Sequence, residues 1–252
     1  MRKSDAHLVV DNHYLGKPAR AENKIVARRI RLLKQLPGFC DRNASLVDAG
    51  CGNGASLFAL SDTMKKCTGL EIYEGHVAEF EKLKKEAGGK NCDIVLFDVE
   101  KDVTDKQFDR LISFELIEHL RDEKNVARLA GLVREGGLAA ITVPNKWWLF
   151  ETHGAKFPII GTLPWYFTPF LSWLPKPIHE RFALARIYTK KRVRKLLESA
   201  GFEVMDIQYV TAPLDVLPKG AMKSFFTKHV FKNETTRIPF LATALFISAK
   251  KY

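Results

Sequence analysis

Apolar residues between positions 21 and 36 recur at helical spacing. Ile25, Val26, Ile30, Leu33 and Leu36 sit among Arg and Lys, which predicts a helix with a basic face. Further on, short apolar runs alternate with helical stretches. A first strand is expected over 45–49, then a glycine turn and a helix over 54–64. Residues 67–72 predict a second strand and 75–87 a charged helix, while 93–97 and 110–114 predict a third and a fourth strand. A helix is expected over 116–134, a turn at Gly136-Gly137 and a fifth strand over 138–143. Strands that are apolar throughout and alternate with helices imply a parallel sheet covered on both faces.

The alternation breaks over 145–188, which is rich in aromatics and proline. The four tryptophans, Trp147, Trp148, Trp165 and Trp173, all lie there. Regularity returns with a basic helix over 189–200, then Gly201, a strand over 202–210 and a last apolar strand over 240–248. Two late strands after five are placed most simply as a hairpin at the sheet edge. No internal repeat or low-complexity segment is present.

Composition narrows the classes. With 46% hydrophobic and 27% charged residues in 252, the chain is neither disordered nor fibrous, and its length suits one or two domains. Forty Lys and Arg against 29 Asp and Glu give a net charge of +11 and a pI near 9.5. That charge suits nucleic acid, anionic lipid or an acidic small molecule, and equally plain solubility. Cys40, Cys51, Cys67 and Cys92 form no C-x-x-C pair. Reduced thiols of a cytoplasmic protein are therefore expected, rather than a zinc cluster. Polar sequence follows Met1-Arg2-Lys3, so no signal peptide is expected, and no apolar run approaches the roughly 18 residues of a membrane span.

The segment Val47-Asp48-Ala49-Gly50-Cys51-Gly52-Asn53-Gly54 ends the first strand and opens a helix. Glycines there let the backbone approach a ligand, and the helix start presents free N–H groups to it. Gly50-x-Gly52-x-x-Ala55, with Glu71 about twenty residues on, also fits a dinucleotide fingerprint. Taken alone, the turn leaves a nicotinamide dehydrogenase open.

The wider string resembles motif I of the class I S-adenosylmethionine-dependent methyltransferases. Gly69-Leu70-Glu71-Ile72, Phe97-Asp98-Val99, the fourth strand ending at Ser113 and Phe114, and Arg134-Glu135-Gly136-Gly137-Leu138 resemble the motifs that follow it in order. The resemblance implies a Rossmann-like, seven-stranded, mostly parallel α/β sheet with helices on both faces and an aromatic cap insertion. It divides the chain into an N-terminal basic helical segment (1–40), a cofactor-binding core (41–145), an aromatic substrate cap (146–188) and a C-terminal completion of the sheet (189–252). It also implies that Asp48, Ala49, Gly50, Cys51, Gly52 and Gly54 surround the methionine end of S-adenosylmethionine. Glu71 and Ile72 would take the ribose, Asp98 and Val99 the adenine, and Ser113 and Phe114 would complete the pocket.

Glu115-Leu116-Ile117-Glu118-His119 follows the fourth strand. On a helix, Glu115 lies within a turn of Glu118 and His119, so the three can share one side. Two carboxylates and an imidazole suit Mg or another divalent ion. E-x-x-E-H is similar to the metal-dependent ubiquinone-pathway O-methyltransferases and the small-RNA 2′-O-methyltransferases. Metal-free, His119 has the chemistry of a hydroxyl-activating base.

Over 145–188, Lys146, Lys156, Lys176, Arg181 and Arg186 are interleaved with aromatics, including Trp165, Tyr166 and Phe167. Such a cap suits a small hydrophobic or lipid-linked acceptor, and its aromatic-basic mixture suits peripheral contact with an anionic membrane. His153 and His179 are further candidates for the acceptor pocket. The expectation is a cytoplasmic methyltransferase, peripheral on membrane, acting on oxygen. RNA methylation is the second reading, and a nucleotide-binding protein without transfer activity or a dehydrogenase the third.

Overall fold

The computed structural model describes residues 9–10, 13–14, 23–87, 89–158, 161–163, 168–214 and 220–252. Most of residues 1–22, and Trp165, Tyr166 and Phe167, lie outside the described residues. The central sheet contains β1 (Ser45–Ala49), β2 (Lys66–Glu71), β3 (Cys92–Leu96), β4 (Phe108–Phe114), β5 (Val133–Pro144), β6 (Phe202–Thr211), β7 (Thr235–Thr236) and β8 (Ala242–Lys251). Their order is β7-β6-β8-β5-β4-β1-β2-β3. β1 to β5 pair in parallel, and β8 runs antiparallel between β5 and β6. The late pair is antiparallel with its last strand beside the fifth, but a long connection that includes β7 joins the two in place of a hairpin turn. An eighth strand joins the expected seven because β7 pairs with the end of β6 at Tyr209 and Val210.

Successive strand residues feed opposite cores, as the pleat requires. Leu46, Ile112, Ala140 and Phe246 pack on one face with Leu33, Leu57 and Phe80. That face is covered by α1 (Lys24–Gln35), α2 (Ala55–Leu60) and α3 (Glu74–Ala87). Val47, Leu111, Ile141 and Ile247 pack on the other with Val126, Leu129, Val193 and Leu197. These last four belong to α4 (Val126–Gly131) and α6 (Lys190–Ser199). No helix among the described residues is long and apolar enough to cross a membrane.

Three expectations need correction. The helix expected over 116–134 is two 3-10 turns, Ile117–His119 and Glu123–Asn125, followed by the short α4. The carbonyls of Glu118, Leu120 and Arg121 accept from Arg186 instead of from a continuing helix. Gly136-Gly137 lies inside β5, where Gly136 takes φ 74° and pairing jumps from Phe108–Val133 to Arg110–Leu138. The arginines of α1 are not all on a solvent face. Arg28 is buried and donates to the carbonyls of Thr211 and Phe231, and Arg29 turns toward Glu115.

The cap interval holds a hairpin (Ala155–Phe157 with Gly161–Leu163), a 3-10 turn (Leu171–Trp173) and α5 (Lys176–Phe182). Within it, His179 Nε2 and Glu151 Oε2 meet at 2.5 Å, both fully buried. α7 (Ala221–His229) lies between β6 and β7.

Candidate active site

The parallel strands bring their C-terminal ends to one rim, where open α/β sheets bind ligands. β1 enters the glycine turn there. Gly50, Gly52 and Gly54 take φ 74°, 55° and 78°, a left-handed region that glycine enters without strain. The approach is close, since a Cβ on Gly50 would lie 3.0 Å from Leu116 and one on Gly54 2.3 Å from Phe80.

Glu71 ends β2 and fixes the mouth of this loop. Its Oε2 accepts from the Gly52 N–H at 2.8 Å, and its Oε1 from the Ile72 and Tyr73 N–H groups at 2.9 Å each. His76 Nδ1 lies 3.5 Å from the same Oε1. The buried carboxylate keeps lone-pair capacity for one further donor, on Oε2, as a ligand hydroxyl would require.

Asp98, just past β3, is also buried. Its Oδ1 accepts from the Glu100 N–H at 2.9 Å, and its Oδ2 pairs with Lys101 at 2.8 Å. Burial raises its pKa, but Lys101 and the Glu100 N–H outweigh burial and leave it below the usual range. Ser113 is fully buried, with Oγ donating to the Ala49 carbonyl at 3.3 Å. The Arg29 guanidinium stands 5.4 Å from the centre of the Phe114 ring. Cys51 is buried, with its thiol pushed up by burial first and then by Asp48 and Glu71. Ile72 and Val99 are half-buried beside their acids.

Asp48 is buried at the end of β1. Burial, then the Glu71 carboxylate, push its pKa from 3.8 up to about 8, with Arg29 opposing. This acid's folded value lies above its unfolded one. Its contribution to stability is therefore full below about pH 3.8 and is lost as pH rises through about 8. A cationic ligand at Asp48 reverses the preference and expels the proton. S-adenosylmethionine binding at pH 7 is thus expected to release close to one proton, giving different apparent enthalpies in phosphate and Tris. The difference should vanish in Asp48→Asn. Equal enthalpies in both buffers for the wild type would contradict this assignment.

Beyond β4, Glu115 has φ 57°, and its Oε1 accepts from Arg29 at 2.8 Å and from the Thr142 hydroxyl at 2.9 Å. Its carboxyl also meets that of Glu118, but it stands outside the tighter group of ligand atoms formed by Glu118 and His119. His153 of the cap completes that group. One ligand atom each from Glu118, His119 and His153 lie within 4.8 Å of one another. The two imidazoles meet edge to face at 4.6 Å. Glu118 is 2% exposed, and among the described residues its carboxyl meets only its own N–H and the Glu115 carboxyl. Burial first, and then Glu115, push its pKa well above the carboxylate range. Burial lowers the His153 pKa, and its Nδ1 lies 2.9 Å from the Thr152 hydroxyl. His179 is committed to Glu151 inside the cap. Arg29 and Thr142, which position Glu115, carried no motif signal.

The chain matches the methyltransferase domain family over residues 20–207 and belongs to the class I S-adenosylmethionine-dependent methyltransferases. A Mycolicibacterium smegmatis protein named "Probable S-adenosylmethionine-dependent methyltransferase" is 26% identical over 190 residues, covering 75% of this chain and 63% of the relative. A Methylobacterium protein named ubiquinone biosynthesis O-methyltransferase is 27% identical over 164 residues, covering 64% and 61%. The chain spans less than two thirds of the length of these relatives. The same fold occurs in an S-adenosylmethionine-dependent methyltransferase from Mesorhizobium loti, at 16% identity, TM-score 0.57 and coverage of 92% and 99%. It also occurs in magnesium protoporphyrin IX methyltransferase from Synechocystis PCC 6803, solved with bound cofactor, at 16% identity, TM-score 0.53 and coverage of 92% and 80%. Family membership favours S-adenosylmethionine over a dinucleotide as the cofactor.

Proposed function

We propose that the protein transfers a methyl group from S-adenosylmethionine to an oxygen of a small hydrophobic or lipid-linked acceptor, with a divalent cation held by Glu118, His119 and His153. When bound, the cofactor supplies a methyl already activated on sulfonium. The chain's part is to hold the donor, align the acceptor and handle one proton. Glu71 and the glycine turn suit the first task. The observation that carries the oxygen acceptor is the Glu118–His119–His153 group. It is reached through Leu116, whose side chain abuts Gly50. A carboxylate and two imidazoles are a donor set for Mn, Fe or Zn more than for Mg. Burial of Glu118 beside a second carboxyl gives the set a reason to take a cation. The Methylobacterium relative's name is compatible with this reading.

The test is methyl transfer to a prenylated catechol, with and without chelator. Loss of turnover in EDTA and recovery with Mn is the expected result. Full turnover in EDTA would remove the cation and leave His119 as the direct base. Cofactor binding without transfer to any phenol would overturn the oxygen acceptor.

A further inference from the structure

The rim that carries the glycine turn also carries an aromatic face. β5 ends on this rim at Pro144, and β8 begins there, since Ala244 pairs with Pro144. The cap that follows β5 and the segment that leads into β8 therefore emerge together. Trp147 and Phe170 are 36% and 54% exposed, and Trp173 and Phe240 40% and 49%. They form one cluster. Phe240 lies 6.0 Å from Trp147 and 5.5 Å from Trp173, and Phe170 lies 5.1 Å from Trp173. Trp173 Nε1 donates to the Trp147 carbonyl at 3.2 Å, so two segments of the cap are tied beneath the patch.

Four half-exposed aromatics in one place are more than the scattered apolar residues of an ordinary surface. Their surroundings are basic. Lys146 precedes Trp147 and donates to the Leu174 carbonyl at 2.8 Å, placing its charge against the patch. Exposed Arg237 leads into Ile238 and Phe240. The cap's acids are committed elsewhere. Glu180 meets Arg192 at 3.1 Å and Lys176 at 3.8 Å, while Glu151 is buried against His179.

We infer that this face docks on an anionic lipid bilayer. Trp and Phe settle at the headgroup level, Lys and Arg meet lipid phosphate, and a net charge of +11 adds long-range attraction. The cap that carries the patch also carries His153 to His119, so docking would present the acceptor side of the site to the bilayer. That delivery rests on the methyl-transfer reading. Docking itself does not, and the test reads lipid binding without turnover.

The full chain is floated with phosphatidylcholine vesicles, with and without about one third phosphatidylglycerol. Recovery with the anionic vesicles is expected, falling at high salt and with neutral vesicles. Phe170→Ala with Trp173→Ala and Phe240→Ala should lower recovery about ten-fold or more while leaving the cofactor-induced rise in Tm intact. Lys146→Gln with Arg237→Gln should lower recovery at low salt and flatten the salt dependence. Absence of flotation at low salt would overturn the inference, as would equal recovery of the aromatic variant. A solution dimer that the aromatic variant dissociates would assign the patch to a second copy instead.

Discussion

Glu71→Gln weakens S-adenosylmethionine binding by about 10- to 150-fold, because it removes a charge-assisted hydrogen bond worth roughly 1.5–3 kcal/mol. The structural cause is the double duty of this carboxylate. It must accept from the ribose while also accepting from the Gly52, Ile72 and Tyr73 N–H groups. Glutamine keeps one acceptor oxygen and turns an NH₂ toward a neighbouring N–H donor. Glu71→Ala does more, leaving three backbone N–H groups without this acceptor. At about 1 kcal/mol or more each, that is about 3 kcal/mol, or roughly 6–12 °C in Tm for a chain of this size. The pair of variants separates cofactor binding from loop integrity. Calorimetry on Glu71→Gln and thermal unfolding of both variants provide the check. Wild-type affinity in Glu71→Gln would place the ribose elsewhere.

The second large effect falls on turnover. His119→Ala lowers kcat by about 10²–10⁴-fold, the range for removing a positioned acid, base or metal ligand, with cofactor affinity near wild type. Glu118→Gln follows in the same direction, keeping the side chain's shape but losing its charge. Glu115→Gln has a smaller effect, because Glu115 acts through Arg29 and Thr142. Single-turnover kinetics at saturating cofactor measures all three. If kcat in His119→Ala stays within about two-fold of wild type, the group past β4 is structural only.

Much of this was legible in the sequence, for physical reasons. β1 spans the expected residues because Leu46 and Val47 face opposite cores and the glycines that follow cannot continue the strand. Glu71 and Asp98 were singled out because their strings resemble family motifs, and both are buried at the ends of their strands. The helix over 116–134 was misread because Leu116, Ile117, Leu120, Val126 and Leu129 are apolar enough for one. Periodicity does not register that Arg186, from the far end of the cap, caps the carbonyls of Glu118, Leu120 and Arg121. With that helix absent, His153 joined Glu118 and His119 while Glu115 turned to Arg29 and Thr142, contacts that depend on how distant segments fold back. The arginines of α1 read as a solvated face because burial of a guanidinium depends on distant acceptors, here the Thr211 and Phe231 carbonyls and Glu115.

The central claim is that the glycine turn and Glu71 hold S-adenosylmethionine. Calorimetric titration of the wild-type chain with this cofactor, with NAD in a parallel cell, tests it most directly. Saturable one-to-one binding of S-adenosylmethionine, with no heat from NAD, is the predicted result. Binding of NAD with none of S-adenosylmethionine would contradict it and return the turn to the dinucleotide reading.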